Sequence, residues 1–160
     1  MEIEAVGAEE TGAKLGDVSE RAGDLRPLLT VLGAELRAMT DQAFATNTAP
    51  DGTPWAPRAA AVRVADGRPA RARTESRPGR DLLEDTGELR ASISVTVDAG
   101  AVSLVASSGH AGFVQYGTRY MPARPVLPVT SSGPMTSGPG GQWIESLPDR
   151  IASYILDGAL

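Results

Sequence analysis

The 160-residue chain contains no cysteine, a single lysine, a single histidine and seven aromatic residues. Without cysteine there are no disulfides, no thiolate-held metals and no cysteine nucleophile. A reducing compartment suits such a chain, although nothing requires one. With His110 as its sole imidazole, a Ser-His-Asp relay has one candidate base, and no Gly-x-Ser-x-Gly elbow is present to supply its serine. No stretch approaches the roughly eighteen apolar residues of a membrane span. The start, Met1-Glu2-Ile3-Glu4, lacks the basic-then-apolar order of a secretory leader. A soluble chain with no membrane partner is therefore expected.

What is present is small or turn-forming. Leu, Ile, Val and Phe together supply 33 residues, Ala alone supplies 24, and there are 18 Gly and 12 Pro. Such a composition buries little area per residue and points to long irregular stretches or to surfaces completed by partner chains. The net charge of -5 hides a split. Residues 1 to 24 hold seven acids and two bases, whereas residues 58 to 80 hold seven arginines and two acids.

Along the chain, Glu2-Ile3-Glu4-Ala5-Val6 alternates as a short strand would, ended by Gly7. After a Gly-rich acidic stretch, Leu25, Leu28, Leu29, Leu32, Leu36, Met39 and Ala43 step by three and four, which predicts a helix over 24–46 capped by Asp24. Pro27 falls in its first turn, where a missing N–H costs nothing. Residues 47 to 57 are rich in turn formers, with Pro50-Asp51-Gly52 as a tight turn and Trp55 as an anchor between two prolines. Ile93, Val95 and Val97, then Val102, Leu104 and Ala106 across Asp98-Ala99-Gly100, predict a hairpin with one apolar face. Phe113–Tyr116 reads as a further strand, and Pro125–Val129 as an edge strand, because prolines cannot serve a central ladder. Ser131–Gly141 reads as a Gly/Ser/Pro linker, and Ser146-Leu147-Pro148-Asp149 as the capped start of a short C-terminal helix continued by Ile151, Tyr154 and Ile155.

Two motifs invite an enzymatic reading. Asp85-Thr86-Gly87 matches the loop that gives one carboxylate to an aspartic protease, whose two acids share a proton. Here Glu84 stands where an apolar strand residue is wanted and Glu88-Leu89-Arg90 follows where a small residue is usual, so a capped turn before the hairpin is the plainer reading. His110, flanked by Ser107, Ser108 and Gly109, reads as a solvent-exposed loop residue. Gly138-Pro139-Gly140-Gly141 lacks the Lys-Ser/Thr of a phosphate loop. No catalytic residue, metal or cofactor is expected.

The arginine segment is the feature with functional weight. Arg58, Arg63, Arg68, Arg71, Arg73, Arg77 and Arg80 are spaced by Ala, Pro and Gly, as in an exposed, mobile loop. Such guanidiniums would give a salt-dependent, sequence-independent attraction to phosphates, so transient non-specific contact with genomic DNA is one reading. A solvated loop, or one that pairs with the acidic N-terminal stretch of a neighbouring subunit, is the other.

Four pieces, taken together, resemble the virion morphogenesis, or tail-completion, proteins of Mu-like tailed bacteriophages. They are Pro50-Asp51-Gly52-Thr53-Pro54-Trp55-Ala56-Pro57; Leu83-Glu84-Asp85-Thr86-Gly87-Glu88-Leu89-Arg90-Ala91-Ser92-Ile93; Phe113-Val114-Gln115-Tyr116-Gly117-Thr118; and Met121-Pro122-Ala123-Arg124-Pro125. The last two also resemble the neck and head-tail joining proteins of siphophages. Val114 replaces a histidine common in the family, and Val126 replaces an aromatic residue whose pocket it would fill less completely.

The resemblance implies an α+β tail-completion domain over residues 1–160, with a small antiparallel or mixed sheet packed on one long amphipathic helix and a short C-terminal helix. It also implies a homo-oligomeric ring, commonly hexameric, that caps the head-proximal end of the tail tube and meets tube and neck or connector proteins. Such a protein would act by assembly rather than catalysis, in a virion put together in the bacterial host cytoplasm. Asp51, Gly52, Trp55, Arg90, Gln115, Tyr116, Gly117, Arg124 and Pro125 are the expected subunit or partner interface, and the seven arginines the expected DNA- or lumen-facing set. Arg90 and Arg124 suit pairing with carboxylates, within the subunit or across an interface.

Overall fold

The computed structural model describes residues 8–56, Leu83 and residues 87–160. The expected strand at residues 2–6, Asp85-Thr86 and the arginine segment lie outside them. Helices and two small antiparallel sheets make up the described chain, so the α+β class holds.

The Gly-rich acidic stretch is a helix, α1, Ala8–Gly23. Its glycines mask a run of good helix formers. Glu9 and Glu10 lie in the first turn and Arg21 in the last, each where the helix dipole favours its charge. The predicted long helix follows as α2, Arg26–Thr46. Leu25 occupies its cap position, yet the Asp24 carboxylate accepts the Arg26 N–H at 3.0 Å and so satisfies a first-turn donor. Its buried face is Leu28, Leu29, Leu32, Gly33, Leu36, Thr40, Ala43 and Phe44. Asn47 ends it in the left-handed conformation, which asparagine tolerates better than most residues.

A one-turn helix, α3 (Glu88–Ala91), leads into the hairpin of β1 (Ile93–Val97) and β2 (Val102–Ala106). The register pairs Ile93 with Ala106, Val95 with Leu104 and Val97 with Val102, as the alternation requires. Helix α2 crosses the hairpin at Gly33, where an added Cβ would stand 2.9 Å from Val95 Cγ1 and 3.1 Å from Val102 Cγ2. The glycine that weakens the helix is thus the one that lets the sheet approach it.

Four sequence expectations are corrected. Phe113–Tyr116 belongs to a short helix, α4 (Ala111–Tyr116), in which the buried residues are the neighbours Val114 and Gln115 rather than alternate positions. The prolines of Pro125–Val129 keep most of that segment out of any ladder. Pairing begins only at β3 (Val129–Thr130), which meets β4 (Gly133–Pro134). The stretch 131–141 is no linker, since it contains β4 and the first turn of α5, Gly138–Asp157. The C-terminal helix is therefore long, Pro148 lies inside it, and Ser146 donates back to the Trp143 carbonyl at 2.7 Å instead of capping. The helix starts early because its glycines fit against the tight turn: Gly138 has φ +65°, and a Cβ there would fall 2.0 Å from the Asp51 carbonyl oxygen. Gly140 N–H donates to the Pro50 carbonyl at 2.8 Å.

Two apolar clusters result. One joins Ala43, Phe44, Ala49, Trp55, Leu89, Ile93, Val114 and Val126. The other joins Leu28, Leu29, Leu32 and Tyr154, with Trp143, Leu147, Ile151 and Ile155 packed against it.

Candidate functional site

The expected interface residues fall into two groups. Trp55, Gln115 and Arg124 are buried, at 5–6% exposure, and serve the inside of the subunit. The Trp55 ring meets Phe44 edge-on at 5.9 Å, and its indole N–H donates to the Pro125 carbonyl at 2.9 Å. Arg124 donates through Nε to the Ala56 carbonyl at 2.9 Å, while its own N–H reaches the Val114 carbonyl at 2.8 Å. These bonds join the 47–56 turn, α4 and the segment after α4 into one body.

Gln115 is the knot in that arrangement. Its amide nitrogen donates to the carbonyls of Leu127 (3.1 Å) and Val129 (2.7 Å). Its oxygen accepts from the N–H groups of Val126 (3.0 Å) and Leu127 (3.1 Å). A proline-rich segment with no ladder partners over residues 125–128 thus has much of its backbone satisfied by one side chain, while the Trp55 indole and the Met135 N–H take the Pro125 and Pro128 carbonyls. Val126 is then enclosed at 1% exposure, so the smaller residue is fully sequestered. Gly117, at φ +73°, turns the chain back so closely that a Cβ would stand 2.7 Å from the Ala123 nitrogen.

Arg90 pairs within the subunit. Its Nε lies 3.1 Å from Asp41 Oδ1, and its guanidinium sits 5.8 Å from the Phe44 ring centre. Asp41 also accepts from Arg37, which donates in turn to the Ile93 carbonyl. The arginines hold the Asp41 carboxyl below its ordinary value, Arg37 contributing most. A second cluster was not anticipated: Arg150 and the Trp143 indole both donate to Glu35, at 2.6 Å each, tying α5 to α2. The Arg150 guanidinium is the main cause of a lowered Glu35 pKa. Opposite charges 115 residues apart in sequence leave no local signal, whereas Arg37 and Asp41 stand at the i,i+4 spacing of a helix-surface pair.

Tyr116 belongs to the exposed group, with Gly52 and half-buried Asp51, Gly117 and Pro125. Around it the surface is aromatic: Phe113 is 56% exposed, Tyr116 54% and Tyr120 79%, and the Arg119 guanidinium lies 4.3 Å from the Tyr120 ring centre. Arg58, Arg63, Arg68, Arg71, Arg73, Arg77 and Arg80 lie outside the described residues. A cleft of about 320 Å³ beside α4 brings Glu88, Ser108 and His110 to an apolar floor of Leu83, Leu89 and Val114. In it Ser108 meets Glu88 directly, at 3.5 Å, and His110 reaches Ser108 through its backbone N–H. That order lacks the imidazole between serine and acid that a hydrolytic relay uses. Among the described residues no group of three His, Cys, Asp or Glu could hold a metal ion. Nor is any described helix long and apolar enough to cross a membrane.

The pieces that resemble phage assembly proteins are thus the ones welded together around Trp55 and Gln115. The model of the phage virion morphogenesis family matches residues 7–136. The chain belongs to that family. Its role is accordingly in virion assembly. Comparisons with curated proteins and with solved structures find no match.

Proposed function

We propose that this member of the phage virion morphogenesis family caps the head-proximal end of the tail tube as a ring, commonly hexameric, ending tail assembly and presenting the attachment surface for the neck. The observation that supports the reading is the unfinished state of the subunit surface. The β1–β2 sheet has two strands, and neither outer edge has a strand partner among the described residues. Helix α2 covers one face of the hairpin, and its free edges are places where another copy adds a strand. An aromatic patch stands exposed nearby in sequence, at Phe113, Tyr116 and Tyr120.

Native mass measurement and electron microscopy of the purified protein at raised concentration test the reading, together with a phage lacking the gene. Rings, and tails that fail to join heads when the protein is missing, are expected. A strict monomer that is also dispensable for tail completion overturns it. The competing reading, a DNA-binding accessory protein, rests on the arginine density of residues 58–80. It predicts that replacing those arginines with serine abolishes salt-sensitive DNA binding, whereas ring assembly alone would survive the change.

A further inference from the structure

Helix α1 leaves a long stretch uncovered. Residues 9–17 are all exposed, and Leu15 is 65% exposed. The helix is fastened at its far end, where Arg21 donates through Nε and Nη2 to the carbonyls of Ile155 (2.9 Å) and Leu156 (2.8 Å) at the close of α5. The nine residues before Val18 rise about 13 Å at 1.5 Å per residue. A helix of 16 residues with three glycines is marginal in water without packing. Its solvent-facing charge is acidic: Glu9, Glu10, Asp17 and Glu20 outweigh Lys14, and Arg21 is already committed to α5.

The opposite chemistry lies elsewhere on the same chain. Between Asp98 and Glu145 there is no Asp or Glu. That stretch contains the exposed Phe113, Tyr116 and Tyr120, with Arg119 stacked on Tyr120 and exposed beside them. An acidic arm bearing an exposed leucine and an aromatic surface bearing Arg119, whose own segment has no acid although Glu88 lines the cleft beside α4, are complementary and non-identical. Surfaces of that kind can join head to tail, the relation that closes rings.

We propose that the α1 arm of one copy docks on the Phe113–Tyr116–Arg119–Tyr120 surface of the next. The proposal rests on the ring reading and names the contact within it. The chain has no native cysteine, so single cysteines report contacts cleanly. Leu15→Cys protein is mixed with Phe113→Cys protein, assembled alone at high concentration or on purified tail tubes, and treated with a short bis-maleimide. Cross-linked pairs containing one of each variant are expected. Leu15→Asp, at an exposed position, should leave thermal unfolding unchanged and weaken association roughly tenfold to a hundredfold.

Rings that form normally with Leu15→Asp, or that yield no mixed cross-link, overturn the docking contact and leave the ring reading standing. Links between like variants only, or between Phe113→Cys and the tube protein, also overturn it. A chain that stays monomeric under both conditions removes the contact and the ring together.

Discussion

The two apolar clusters at the two ends of α2 are closed by different means. At the C-terminal end, Phe44 and Trp55 pack under irregular segments whose backbone is held by buried polar side chains, Gln115 and Arg124. At the N-terminal end, Leu28, Leu29 and Leu32 pack against Tyr154 and the face of α5, and the polar tie is a half-exposed pair between Glu35 and Arg150. Irregular backbone cannot satisfy its own donors and acceptors, so its core needs side chains as hydrogen-bond partners. A helix satisfies its backbone internally and needs only shape and a surface charge pair. The family match ends at residue 136, before α5 begins, so the α5 half of the second cluster lies beyond the matched residues.

This difference makes the first cluster the more fragile to a single change. Trp55→Ala removes the ring beside Phe44 and the donor to Pro125 together, and should cost roughly 3–5 kcal/mol in urea unfolding. Gln115→Ala removes the side-chain partner of two carbonyls and two N–H groups at once, only the Leu127 carbonyl keeping another donor in the Val129 N–H, and a loss of about 3 kcal/mol is expected. Gln115→Glu is the sharper form of that test. A carboxylate facing the Leu127 and Val129 carbonyls is repelled, whereas its protonated form can donate to one of them. The variant's carboxyl pKa should therefore rise above its unfolded value. Stability of Gln115→Glu should increase as pH falls through that raised pKa, opposite in sign to a carboxylate held by arginine.

The same contrast explains what could be read in advance. Helix α2 and the β1–β2 hairpin follow from periodicity, because each buries one regular face. Trp55 as an anchor was legible from its two flanking prolines. Phe113–Tyr116 misled because an apolar-rich tetrapeptide is too short for a period, and its burial depends on the chain that Gln115 gathers. Gly138-Pro139-Gly140-Gly141 misled in another way. Glycines that mark a linker by composition are also what a helix start needs when it presses on another backbone, and only the position of the 50–52 turn distinguishes the two. The acidic N-terminal stretch hid α1 behind three glycines, so the arm was absent from the expected site.

Where α2 itself touches the hairpin, the comparison can be made with one methyl group. Gly33→Ala gains about 1 kcal/mol of helix propensity but places a Cβ 2.9 Å from Val95 Cγ1. β-branched side chains yield poorly, so a net loss of about 1 kcal/mol is expected in chemical unfolding. Gly12→Ala, with nothing within 4 Å of the new Cβ, should instead gain a few tenths to about 1 kcal/mol. A stabilised Gly33→Ala would show that the helix and sheet are less closely joined than the distances indicate.

The smallest effect concerns the charge pairs that distinguish the two ends. Glu35 faces α5 through Arg150 and Trp143, and Asp41 faces α3 and β1 through Arg37 and Arg90. Both carboxyls are held below their ordinary values, 4.5 and 3.8, chiefly by the hydrogen bonds from Arg150 and Arg37 respectively. A depressed folded pKa means stability that is complete above the unfolded value and is lost as pH falls through the folded one. Each pair is about a third exposed or more on its acid, so each contributes at most about 1 kcal/mol. Glu35→Gln should therefore lower neutral-pH stability slightly and flatten the acid limb of the stability curve. Fluorescence assigns that loss to one end, because Trp143 sits in the second cluster and Trp55 in the first. In a protein retaining only Trp143, through Trp55→Phe, the Glu35→Gln change should shift the acid transition of that signal. Asp41→Asn should leave the Trp143 signal's acid limb nearly in place, and equal shifts from both variants would mean that the two ends open as one unit.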